Sequence, residues 1–211
     1  MRKKRLENWL CLSGITSPIF YVLHDIIGGM YYPGYDRLSQ AVSDLTAADA
    51  PSFVIATGLS TVYALFACMC CTLVCITVQD IGNKTLRLGI YLFALMNWIS
   101  GIGYSLFPLS SSGYAGSFQD IVHVYIVTVL VVVLSIVSLI SIMIGGFKDN
   151  RYRSLSVWAM FALLFMFTGA VGASIVPSRY FGLVERFSTY SAVTFVAVLG
   201  LYGFHYFAII E

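Results

Sequence analysis

Ile121-Val-His-Val-Tyr-Ile-Val-Thr-Val-Leu-Val-Val-Val-Leu-Ser-Ile-Val-Ser-Leu-Ile-Ser-Ile-Met-Ile144 runs for 24 residues without an Asp, Glu, Lys or Arg. The hydrocarbon of a bilayer is about 30 Å thick, and a helix rising about 1.5 Å per residue needs roughly 20 apolar residues to cross it. This run is long enough. Bilayer hydrocarbon holds no water for unpaired peptide groups, so the run must be a helix; a barrel strand would be shorter and would alternate apolar with polar. Five more stretches pass the same test, at about Trp9–Met30, Ser52–Val78, Leu88–Phe107, Leu155–Val176 and Phe187–Ala208. The fold expected for residues 1–211 is therefore a single all-α domain, an integral membrane six-transmembrane-helix bundle.

Composition agrees. Hydrophobic residues make up 59% of the chain, charged residues 10%, and the mean hydropathy is +0.85, far from the range of water-soluble domains. The net charge of +2 comes from short basic clusters between apolar spans, which argues against a nucleic-acid partner. Cys11, Cys68, Cys70, Cys71 and Cys75 all fall inside apolar spans, where a free thiol behaves as a small hydrophobe and no disulfide framework is implied. Their clustering in the second span is read as packing, with acylation of Cys75 as the minor alternative.

Orientation follows from the basic residues. Arg2, Lys3, Lys4, Arg5, Lys84, Arg87, Lys148, Arg151 and Arg153 share one side, and Arg37, Arg179 and Arg186 lie on the other. This positive-inside bias predicts a multi-pass protein with both termini in the cytoplasm. The basic start resembles that of a signal peptide, but the apolar run behind it is too long, so the first span is expected to be a mature helix.

The longest stretch that a bilayer would not accept is Tyr32-Pro-Gly-Tyr-Asp-Arg-Leu-Ser-Gln-Ala-Val-Ser-Asp-Leu-Thr-Ala-Ala-Asp-Ala-Pro51, on the extracytoplasmic side. A Pro-Gly turn opens it, and Leu38, Ala41, Val42 and Leu45 recur at helical spacing. A short amphipathic helix between the first two spans, lying along the membrane surface, is expected. Asp49 reads as the cap of the second span.

Three spans leave the membrane on this side through Gly-x-x-x-x-Pro: Gly28 to Pro33, Gly103 to Pro108 and Gly172 to Pro177. Glycine permits close helix approach and proline ends the helix. Gly169, Gly172 and Ala173 also suggest a close contact, and Asn97 an interhelical hydrogen bond.

Ionisable groups inside a span cost several kcal/mol unless paired or hydrated, so each is a functional candidate. His24 and Asp25 lie in the outward third of the first span. Asp120 and His123, three apart, share a face at the start of the fourth, and Glu185 and Arg186 open the sixth. With Tyr35, Asp36, Arg37, Ser39, Ser43 and Asp44 of the loop, these candidate ligand-binding residues converge on one membrane face. Asp25 at that depth needs Arg37, Arg186, a histidine or a metal beside it, or else a proton. Ser117 and Asp120 also fit a helix capping pattern, and Glu185 with Arg186 fits an interfacial pair. A metal site would draw on His24, His123 and one of Asp25, Asp44 or Asp120, with His123, Asp25 and Asp120 as the catalytic candidates. A serine mechanism would use Ser39 or Ser43 with His123, although neither serine carries an elbow motif. No cofactor motif is present.

Tyr32-Pro-Gly-Tyr-Asp-Arg-Leu-Ser39, Ser43-Asp-Leu45, Ala50-Pro51, Phe107-Pro108, His123 and Gly182-Leu-Val-Glu-Arg186 resemble the bacterial and archaeal membrane proteins grouped as domain of unknown function 998. The resemblance implies a six-helix protein of the plasma membrane with its signature residues at the outward face, and it brings no settled activity. It also implies an acidic residue soon after Phe-Pro. Leu109 and Ser110 to Ser112 follow here instead, which weakens an acid–base or metal role for that loop.

The function expected is binding of an amphiphile, such as a membrane lipid headgroup, in a polar pocket beneath the loop. The alternatives are a lipid hydrolase or transferase at the outer leaflet and a non-catalytic subunit with a membrane-protein partner. Transport is disfavoured because no span is visibly broken near mid-membrane.

Overall fold

The computed structural model describes residues 5–207. Arg2, Lys3 and Lys4 of the basic cluster and Ala208 at the end of the last expected span lie outside the described residues. The first span is α1 (Leu6–Leu10) and α2 (Ser13–Met30), followed by α3 (Phe53–Thr77) and α4 (Lys84–Leu106). The fourth span is α5 (Phe118–Ile121), a π-helix (Val122–Thr128) and α6 (Val129–Phe147); α7 (Arg153–Ile175) and α8 (Phe181–His205) complete the chain. Six helical segments among the described residues are long and apolar enough to cross a membrane.

Two helices begin earlier than hydropathy alone suggests. α4 starts at Lys84 because Asn83 caps it, its side-chain oxygen accepting from the Leu86 N–H at 3.0 Å while its amide donates to the Gly145 carbonyl of α6. α8 starts at Phe181, so Glu185 and Arg186 sit in its second turn rather than ahead of it. The π-helix is a departure from the unbroken spans expected. Its wide turn is braced by Thr128, whose hydroxyl donates to the His123 carbonyl at 2.9 Å.

The helices close a ring in which α2 packs on α3, α3 on α4, α4 on α6, α6 on α7, α7 on α8 and α8 back on α2, with α8 also touching α3. Phe93 of α4 and Phe195 of α8 meet edge to face at the centre, ring centroids 5.1 Å apart. Large apolar side chains such as Leu65, Trp98, Val133, Phe161 and Leu164 point outward, as a lipid solvent allows. Glycines do the close packing inside. A Cβ on Gly89 would lie 2.7 Å from the Ile142 nitrogen, and the three Gly-x-x-x-x-Pro glycines are all contact points: Gly28 against Leu45 and Ala56, Gly103 against Val127, Gly172 against Val184. Their helices end at Met30, Leu106 and Ile175, ahead of each proline.

Two local expectations are corrected. The Asn97 amide donates to the Phe93 carbonyl of its own helix, since the bond one turn back is the nearer one. Asp49 caps no helix: its carboxylate accepts from the Ser112 N–H at 3.2 Å, and Ser52 precedes α3.

Candidate functional site

Residues 32–52 form a lid over one end of the bundle. The amphipathic helix expected there is reduced to one 3-10 turn, Val42–Thr46, and Leu38 and Ala41 lie outside it. The carbonyls that a longer helix would use internally are taken from outside. Arg37 and Gln40 give theirs to Arg186, Leu38 gives its own to the Leu183 N–H, and Ala41 accepts from the Tyr35 hydroxyl at 2.6 Å. Nor does the turn float on the surface, for Val42 and Leu45 are buried, Leu45 against Gly28 of α2.

Arg186 is the pin. Its Nε donates to Asp25 Oδ2 at 3.0 Å and its Nη2 to Asp25 Oδ1 at 2.9 Å, a bidentate fork joining α8 to α2. Nη2 also donates to the Tyr35 hydroxyl at 2.8 Å, and Nη1 to the carbonyls of Arg37, Gln40 and Gly182 at 2.9, 3.0 and 2.8 Å. Every N–H direction of the guanidinium is in use. Asp25 accepts a further bond from the Tyr190 hydroxyl at 2.8 Å, while Arg37 Nε stands 3.7 Å away. The side chains of Asp25 and Arg186 are 6% and 11% exposed against 45% for Arg37, so the Arg186 fork is the shielded pair and Arg37 the solvated one. Arg37 instead caps the end of α2, donating to the Asp25 and Ile26 carbonyls. Glu185 does not pair with Arg186 as neighbours at an interface would. Its Oε2 accepts from the Val42 N–H at 3.3 Å.

In the lid itself Asp36 accepts from the Ser39 hydroxyl at 2.7 Å and the Leu38 N–H at 3.0 Å, which hold its carboxyl below the ordinary range. Ser39 is thereby a turn former with no histidine beside it, and the Ser43 carbonyl accepts from the Thr46 hydroxyl. Asp44 accepts from the Ala41 N–H at 3.2 Å and the Gly113 N–H at 3.0 Å, and burial pushes its carboxyl up. Burial likewise raises the Tyr35 phenol.

Asp120 and His123 form a second, separate cluster. Asp120 accepts from the N–H groups of Ser110, Ala115 and Ser117 and from the Ser110 hydroxyl, at 2.6 to 3.1 Å, and its own N–H donates to Ser117 Oγ. This is the capping arrangement. His123 Nδ1 lies 2.7 Å from the Phe107 carbonyl, with the Tyr104 ring 4.7 Å away. The two clusters meet where the Ala48 N–H donates to the Leu109 carbonyl and the Tyr32 hydroxyl donates to Ser112 Oγ.

The structure thus joins Asp25, Tyr35, Arg37 and Arg186, sets Glu185 beneath the lid and Asp44 buried within it, and leaves Asp36 and Ser39 toward its outer surface. It does not bring His24, His123 and an aspartate into one metal-binding set. Among the described residues no three of His, Cys, Asp and Glu are placed to share a metal ion. Tyr190 is not among the residues named from the sequence, and Gly182 is named there only within the motif that ends at Arg186. Tyr190 had a visible signal, since it lies four residues after Arg186 and so on the same face of a helix. The contact of Gly182 with the lid had none, because the backbone pressing on it comes from residues 37–40.

The family model described as "Protein of unknown function (DUF998)" matches residues 15–202. No curated protein and no solved structure matches the chain. Residues 15–202 take in four spans whole and most of the first and last, the whole lid, and both Asp25 and Arg186, and the chain belongs to the DUF998 family.

Proposed function

We propose that the protein binds a membrane lipid at its extracytoplasmic face, an acyl chain lying between α7 and α8 with an anionic headgroup beside the Arg186 pin. One observation carries this reading: a groove of about 380 Å³ between those helices, walled by Trp158, Phe161, Phe165 and Phe187, has Arg186 and Tyr190 in its lining. Its volume falls within the roughly 300–1,000 Å³ of small-molecule sites, and a long apolar wall that includes a guanidinium and a phenol is a form an amphiphile can use. Arg37, whose Nε stands 3.7 Å from Asp25, is 45% exposed and adds a solvated cation at this end of the bundle.

Lipid retention tests the reading. Protein purified in a mild non-ionic detergent is expected to carry lipid detectable by mass spectrometry after extraction. Thr194→Trp, which fills the groove from an exposed position, is expected to lower that lipid about five-fold or more. Equal lipid in both proteins would sink the assignment.

The same proposal sets the protein in the plasma membrane with both termini cytoplasmic. Among the described residues Arg5, Lys84, Arg87, Lys148, Arg151 and Arg153 gather at the end of the bundle away from the lid, which supports this orientation. A reporter active only outside the cytoplasm should be active when fused after Gly116 and silent when fused after Asn150. The reverse pattern would invert the topology.

A further inference from the structure

Leu183 and Arg186 each serve two surfaces. Both line the α7–α8 groove, and both are bonded to the lid: the Leu183 N–H donates to the Leu38 carbonyl at 3.0 Å, and Arg186 Nη1 donates to the Arg37 and Gln40 carbonyls at 2.9 and 3.0 Å. Leu183 is the third residue of α8, where an N–H has no acceptor within its own helix, so the lid supplies the acceptor it has. Beside it, Gly182 is pressed by the same Arg37 and Gln40 carbonyls. The first turns of α8 are therefore a wall of the groove and the seat of the lid at once.

The bonds of Arg186 are unequal. Its fork to Asp25 is charge-assisted and shielded, whereas Nη1 divides two hydrogens among three neutral carbonyls, the third being that of Gly182 at 2.8 Å. A hydrogen bond to an ionised oxygen is roughly twice as strong as one between neutral groups. No N–H of this guanidinium is spare, so an anionic oxygen in the groove is met only when another acceptor gives way, and the lid carbonyls are the ones held most weakly. The rest of the lid has anchors of its own. Asp44 accepts from the Gly113 N–H, the Leu45 carbonyl accepts from the Ser52 hydroxyl, and Leu45 is buried against Gly28, which leaves residues 36–41 as the part free to shift.

We propose that an anionic phosphate in the groove, lipid-borne or free, draws Arg186 Nη1 from the Arg37 and Gln40 carbonyls and so releases residues 36–41 of the lid. The lid then gauges the charge of what occupies the groove. This inference rests on the groove being a ligand site. By linkage, lid release and phosphate binding favour each other by the same factor. The full chain in a non-ionic detergent is given dioleoylphosphatidylglycerol, or dioleoylglycerol with the same chains and no phosphate, and binding is followed by native mass spectrometry alongside hydrogen exchange. The Leu183 amide should exchange about five-fold faster or more with the phospholipid than with the diglyceride or detergent alone, and trypsin should cleave after Arg37 faster by a similar factor. Gly182→Ala, whose added Cβ pushes the lid off α8, should raise the affinity for phospholipid relative to diglyceride about five-fold. Should that variant fail to fold, the exchange of the wild-type protein decides. Inorganic phosphate given without lipid tells a free anion from a lipid-borne one, and faster exchange with either supports the transfer of Nη1. Leu183 exchange unmoved by bound phosphatidylglycerol and by phosphate, or an unchanged affinity ratio in Gly182→Ala, would overturn the inference and leave the lipid site standing. Binding of neither lipid, with exchange unmoved by phosphate, would overturn both.

Discussion

Arg186→Ala is expected to destabilise the folded protein by about 3–5 kcal/mol, the cost of breaking a buried ion pair from one side. The substitution removes both bonds of the fork to Asp25, the bond to Tyr35, and the donors that hold the Arg37 and Gln40 carbonyls. Asp25 would keep the Tyr190 hydroxyl and the more distant Arg37, which is too exposed to replace the lost partner. Thermal unfolding in detergent reads the effect directly. Arg186→Lys should recover only part of it, because an ammonium is a point donor and cannot span both carboxylate oxygens and two carbonyls together. Asp25→Asn combined with Arg186→Gln should lose less than the sum of the single changes, since neither partner is then left as a bare charge. An Arg186→Ala protein that melts with the wild type would show that the fork contributes no net stability.

Gly182→Ala should displace the lid while leaving every charged group in place. A Cβ on residue 182 would overlap the Gln40 carbonyl oxygen and come within 2.8 Å of the Arg37 carbonyl oxygen, and both are backbone atoms that no rotamer change can move aside. These two carbonyls are the ones Arg186 Nη1 holds. Overpacking of this kind typically costs about 1–3 kcal/mol, and here the cost falls on the contact between α8 and residues 37–40. The expected result is faster tryptic cleavage after Arg37, with helical content unchanged by circular dichroism. Cleavage at the wild-type rate would mean that the lid is held mainly elsewhere, through Asp44 and the 109–113 loop.

Part of the site is legible in the primary structure for a definite reason. Asp25 sits too deep in an apolar run to stand alone, so its need for a cation can be read locally, and the candidates Arg37 and Arg186 can be named. Which of them forms the shielded pair cannot be read, because Arg186 is 161 residues away along the chain and the choice depends on α8 packing against α2. Asp120 shows the opposite case. Its capping partner Ser117 is three residues away, so that reading is available from spacing alone, and the bonds from Ser110 add a partner that only folding brings near. The lid helix is present but shorter than its apolar spacing suggests, because helical spacing registers side chains, and what sets its length is where the backbone carbonyls go.

Six spans, their all-helical character and the one-sided gathering of charge are determined by the chain's own composition, since hydrocarbon leaves an apolar run of 20 or more residues no other way to satisfy its peptide groups. The closed ring of helices, the pin between Asp25 and Arg186 and the separation of His24 from His123 were decided only by tertiary structure. Each depends on which faces meet at glycine contacts, and that is a matter of fit between distant surfaces.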